Sequence, residues 1–211
     1  MLKSFEIPLE SYGSDLIVEI GADEDSLAVL YLSAKACGVL QLTFHEGIPT
    51  LREFIDHNLR FPECCLFFCA RPWHMRGTAQ REILGAAFLH DVVERPGVKR
   101  IEVGLMFLRR RSVTLKEALA PESIERMVHA ALGWIFGEYG ATVLWNLTPR
   151  QNRTSIKFSD RVGWSAKGVI PEFLSWRGHP EAAVLMTLAK EDYEHGSAKR
   201  REAKCESTSC A

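Results

Sequence analysis

The chain has 211 residues, 46% of them apolar and 25% charged, a composition that folds around an ordinary core without a metal or a disulfide. Twenty-six basic residues against 27 acidic ones leave a formal charge of -1, which excludes a domain-wide basic field for nucleic acid. No run reaches the ~18 uninterrupted apolar residues of a membrane-spanning helix, and MLKSFEIPLE lacks the apolar stretch of a signal peptide, so a cytoplasmic protein is expected.

In chain order, Asp15 to Gly21 (DLIVEIG) is the first clear strand. A helix follows, capped by Asp23 or Asp25, with Leu27, Leu30, Tyr31 and Ala34 at helical spacing and Gly38 to end it. Thr50 and Glu53 have capping-box spacing and open a second helix over Thr50–Asn58. CCLFFCARP, REILGAAFLHDVV and VKRIEVGLMFLR then read as three strands of a meander, joined by the loop PWHMRGTAQ and the hairpin turn ERPGVK.

Helical periodicity returns after Ala120. Pro121 suits the first turn, an apolar stripe runs from Ile124 to Phe136, and Gly140 terminates the element. ATVLWNL reads as a buried strand and TSIKFSDRVG as a short helix ending at Gly163. Two last strands flank RGHPE. The predicted order is β-α-α-β-β-β-α-β-α-β-β. The long helix is a crossover, so the strands near 101–108 and 141–147 should be parallel. The folded domain is expected over 1–192, followed by a polar, disordered tail over 193–211.

Six cysteines suggest disulfides only if their spacing agrees, and it does not. Cys64, Cys65 and Cys69 share one apolar run, Cys37 stands alone, and Cys205 and Cys210 fall in the tail. They read as small buried thiols, without the paired ligands of a zinc site. His90 and Asp91 are strand neighbours and should face opposite sides, so they form no dyad. His129 aligns with Glu122 and Glu125 on a polar helix face. No metal is assigned.

The strand and helix order, together with NRTSIKFSDRVGW, resembles the GNAT N-acetyltransferase superfamily. Asn152, Ser155, Ile156, Gly163 and Trp164 match its pattern of an Asn, a small residue three on, an apolar residue, and a Gly-aromatic pair closing the short helix. DEDSLAVLYLSAK, ILGAAFL and VLMTLAKEDY resemble its first helix, third strand and final hairpin, so the resemblance covers about 15–192. Ser155 and Trp164 look most like the ribosomal-protein-acetylating branch. LWNLTPRQNRTSIKF is also similar to acetyltransferase-fold proteins carried by tailed bacteriophages.

The resemblance implies an α/β (α+β) GNAT-like fold: a mixed, mostly antiparallel sheet with a parallel splayed strand pair and helices on both faces. It implies acetyl-CoA as co-substrate and a primary amine, on a protein or a small molecule, as acceptor. Glu102 stands where the family places its base, and Ser159 replaces the family's acidic Tyr. Asn152, Ser155 and Asn146 fall where the pantetheine arm would lie. The family's phosphate loop matches Ala120–Glu125, where Ser123 occupies one of its small-residue sites while Glu122 and Glu125 bring acid. Arg109 and Arg111, ahead of that helix, can substitute as phosphate ligands. The alternative is a catalytically inactive member of the fold, a structural or interaction protein, possible in a phage. A protein partner or a homodimer stays open.

Overall fold

Eight strands lie in one sheet of order β1-β2-β3-β4-β5-β6-β8-β7, and every neighbouring pair is antiparallel except β5 with β6. The structure, a computed structural model, describes residues 3–9, 14–44, 47–72, 80–108, 121–176 and 178–196. The strands are β1 (Lys3–Leu9), β2 (Ser14–Ile20), β3 (Cys65–Pro72), β4 (Glu82–Arg95), β5 (Val98–Phe107), β6 (Val143–Pro149), β7 (Ser165–Trp176) and β8 (His179–Ala189). The helices are α1 (Glu24–Ala36), α2 (Leu40–Thr43), α3 (Leu51–Asn58), α4 (Pro121–Gly137) and α5 (Arg153–Arg161), with a 3-10 turn at Pro62–Cys64.

Local rules explain most of these boundaries. Asp23 caps α1 by accepting from Ser26 N at 2.8 Å. Thr50 and Glu53 close a reciprocal capping box on α3, with Thr50 N donating to Glu53 Oε2 at 2.7 Å. Gly38 and Gly140, which follow α1 and α4, take positive φ of 69° and 79°, the backbone region that glycine enters without strain.

Side chains alternate across the sheet and feed two cores. On one face Leu66, Phe68, Ile101 and Val103 pack against the α4 stripe Met127, Val128, Ala131, Leu132 and Ile135. On the other, Ile17, Phe67, Phe88 and Met106 pack under α1 to α3, where Tyr31 and Phe54 meet at 5.4 Å. Cys64 joins the first core and Cys65 the second, the opposite facing expected of strand neighbours. Cys37, Cys64, Cys65 and Cys69 are all free. Burial pushes the Cys65 and Cys69 thiols up to about 12, so both stay protonated and unreactive.

Three elements depart from the expected order. β1 adds a strand before the first predicted one and pairs with β2 along its length. It lies at the sheet edge, the place where a strand tolerates a proline such as Pro8. The single turn α2 follows α1 directly, too short to show a period. Helix also resumes over 190–196, across the expected 192/193 boundary. There Tyr193 donates to His129 O at 2.9 Å and packs its ring against Phe136 at a tilt, 5.2 Å between centres. The rest of the expected tail, 197–211 with Cys205 and Cys210, lies outside the described residues, as does most of the predicted loop PWHMRGTAQ.

The parallel pairing of β5 and β6 is brief. It joins Arg100, Ile101 and Glu102 to Val143, Leu144 and Trp145 and then stops. Beyond it β5 stays paired to β4 as far as Phe107, and β6 stays paired to β8 as far as Pro149. The two inner edges therefore diverge. Below the pairing the strands are tied: Lys99 N donates to Thr142 Oγ1 at 2.9 Å, Thr142 N to Lys99 O at 2.9 Å, and Lys99 Nζ to Tyr139 O at 2.8 Å.

Candidate active site

The divergence of β5 and β6 opens a cleft of about 1090 Å³ that reaches both faces of the sheet. Its walls are α2 and α3 on one face and α4 and α5 on the other, with β5 and β6 between them. Glu102, Asn146, Asn152, Ser155 and Ser159 all border it, so it gathers five of the residues singled out in the sequence. Ser123 does not border it. It is buried at 2% exposure in the first turn of α4. Arg109 and Arg111 lie outside the described residues.

Glu102 is the last β5 residue paired with β6, so it stands where the strands part. It is half-buried, and its pKa is pushed up to about 7, first by burial and then by the charge and hydrogen bond of Asp91. A carboxyl poised near neutrality is what a general base at physiological pH requires. Directly across on β4 is His90. Its ring lies over Gly104, with Nε2 at 3.5 Å from where a Cβ would stand, an ordinary van der Waals contact. His57 on α3 approaches His90 at 6.1 Å between ring centres. Burial, aided by His57, pulls the His90 pKa below its usual value and leaves the ring uncharged at neutral pH.

The expected opposite facing of His90 and Asp91 fails here. The register moves from His90↔Glu102 to Val93↔Arg100, so Asp91 and Val92 together oppose Ile101 in a β-bulge. Asp91 has φ 42°, and the bulge brings it to Glu102 on the side that His90 already occupies. Among the described residues, no group of three or more His, Cys, Asp or Glu is arranged to hold a metal ion. His129 holds Tyr193 instead.

On the β6 side the polar groups are amides and hydroxyls. Thr148 Oγ1 donates to Asn146 Oδ1 at 3.2 Å, which leaves the Asn146 NH₂ as the group it offers to the cleft. Asn152 caps α5 by accepting from Ser155 N at 3.3 Å. Ser159 is buried, and its carbonyl accepts from Val162 N and Trp164 N. Arg161 also borders the cleft and pairs with Glu125 of α4 at 3.2 Å, countering the acid that the α4 start carries in place of a small residue.

His57, Thr148 and Arg161 are cleft residues that pattern reading passed over, and His90 was read only as facing away from Asp91. Counting back along β4 from the two-residue Pro96-Gly97 turn would have set Asp91 or its neighbour opposite Glu102.

A sheet parted at one parallel pair, with a crossover helix between the parted strands, decides the architecture. The chain has the GNAT acetyltransferase fold. A GNAT structure, the ribosomal-protein-S5-alanine acetyltransferase from Vibrio fischeri, superposes with TM-score 0.65 at 12% identity, covering 90% of this chain and 98% of that one. Spermidine N-acetyltransferase from Vibrio cholerae, in complex with CoA and spermine, gives 0.64 at 12% identity over 86% and 98%. Mycobacterium smegmatis RimJ, in complex with CoA-disulfide, gives 0.66 at 12% identity over 90% and 88%. No protein-family model matches the sequence, and no curated protein does. The likeness to phage-encoded proteins finds no support among these structures. No helix among the described residues is long and apolar enough to cross a membrane.

Proposed function

We propose that the protein is an N-acetyltransferase, moving the acetyl group of acetyl-CoA to a primary amine. The observation that carries this reading is the position of Glu102, a carboxyl with a pKa of about 7 at the mouth of a cleft between parted parallel strands. The neighbouring structures solved with CoA support the choice of donor.

The residues present suit an amide-bearing acyl carrier. Beyond Trp145 the inner edge of β6 has no partner strand, so its main chain can pair with an extended ligand. Asn146 and Asn152 supply amide groups for the pantetheine arm. Arg161 supplies a cation on the side of α4 and α5, and Arg109 and Arg111 are further phosphate ligands on this reading. The thioester, when bound, supplies an activated acetyl group. Glu102 removes a proton from the acceptor ammonium, leaving a neutral amine to attack. The neutral His90 beside it adds no positive charge to repel that ammonium. Phe54 of α3 and Phe88 of β4, in edge-on contact, close the acceptor side against water. Ser159 has no strongly acidic proton, so the departing thiolate takes its proton from solvent.

Calorimetric titration with acetyl-CoA and with desulfo-CoA, followed by mass detection of acetylated peptide N-termini, lysines and polyamines, tests the proposal. Binding in the micromolar range and one acetylated amine class are expected. No binding at millimolar acetyl-CoA overturns it.

A further inference from the structure

We propose that Asp91, set beside Glu102 by the bulge in β4, shares one proton with Glu102 and acts as its positioning residue; this rests on reading Glu102 as the base. In a regular strand the neighbours of His90 would point to the far face. Two residues opposing the single Ile101 break that alternation, and φ 42° at Asp91 redirects its side chain. Aspartate is among the few non-glycine residues that enter this region readily. The carboxyl groups of Asp91 and Glu102 then lie within hydrogen-bonding reach. Two ionised carboxylates have no hydrogen to share and repel each other, so the contact needs a proton between them.

Among the described residues, no charge other than Asp91 adds to burial in raising the Glu102 pKa. His90 stands across from it on β4, and His57 approaches from α3. Glu53, also on α3, is already engaged by Thr50 through its main-chain N–H and its hydroxyl. Arg100, two residues earlier on the same face of β5, is exposed. α2 brings no charged side chain, and β6 brings only Trp145 and Asn146. Asp91 is exposed while Glu102 is half-buried, so the pair spans from cleft to solvent. Once Glu102 has given up its proton, it takes one from the acceptor ammonium, shares it with Asp91, and the pair releases it to water on the Asp91 side, returning to its starting state.

The test is a carboxyl 13C NMR titration of the full chain as wild type, Asp91→Asn and Asp91→Gly, alongside the pH profile of acetyl transfer. Asparagine and glycine both accept a positive φ, so either variant keeps the bulge while removing the acid. The Glu102 midpoint should fall by about one pH unit in both variants, and the acid limb of the rate profile should fall with it. Glu94→Gln, an exposed acid of β4 outside the cluster, should leave the midpoint in place. A Glu102 midpoint unmoved in either folded variant overturns the proposal. A falling midpoint in a protein that acetylates no amine supports the shared proton and overturns the acetyltransferase reading instead.

Discussion

His90 and Glu102 stand directly opposite each other on β4 and β5, an imidazole kept neutral facing a carboxyl kept protonated to about pH 7. In water the carboxyl would be ionised at that pH and a fraction of the imidazole would still carry a proton. Burial drives both shifts, and both groups border the cleft.

On the reading of Glu102 as the base, Glu102→Gln should lower kcat/KM by a factor of about 10² to 10⁴. In the wild type the rate should rise with pH through about 7, as Glu102 ionises. The effect on stability has the opposite sense. A folded-state pKa above the unfolded value means that folding favours the protonated form, and that advantage is lost as pH rises from about 4.5 past 7. Glu102→Gln should therefore melt above the wild type at pH 8 and gain less at pH 5. Equal gains at both pH values would contradict this.

Asn152 has two separable duties. Asn152→Ala removes the α5 cap and should cost about 1 kcal/mol in urea unfolding. Asn152→Asp keeps the capping oxygen and loses the amide donor. It should retain wild-type stability while binding acetyl-CoA more weakly in calorimetry.

Arg161→Ala leaves Glu125 unpaired at the start of α4 and should weaken acetyl-CoA binding, more so at low salt. Glu125→Gln in the same chain should restore part of the loss. A double-mutant cycle with no coupling would show that the pair does not bear on binding.

Tyr193→Ala should destabilise the fold by about 2 kcal/mol, since it removes the ring contact with Phe136 and the bond to His129 O. Tyr193→Phe keeps the ring and should lose about 1 kcal/mol. Thermal denaturation separates the two, and an unaffected Tyr193→Ala would place this segment outside the cooperative fold.

Sequence spoke clearly where structure is local. The cap at Asp23, the box at Thr50 and Glu53 and the α4 stripe each depend on residues within one or two turns. The crossover geometry was legible too, because a helix between two strands leaves little choice of direction. The bulge at Asp91 was not, since no glycine marks it and it is fixed by cross-strand packing around Ile101. The pairing of Arg161 with Glu125 joins helices far apart in sequence, so the acid at the start of α4 read as uncompensated. Residues 109–120, where the phosphate ligands were expected, lie outside the described residues.

The brief parallel pairing gives the sheet a one-ended hinge. Lys99 bolts the lower end through Thr142 and Tyr139, and its ammonium also sits 3.9 Å from the centre of the Tyr139 ring. The upper end has no such fastening. On the acetyltransferase reading, a ligand filling the cleft bears on three residue pairs, one of which contains Glu102, so cofactor binding would be coupled to the placement of the base.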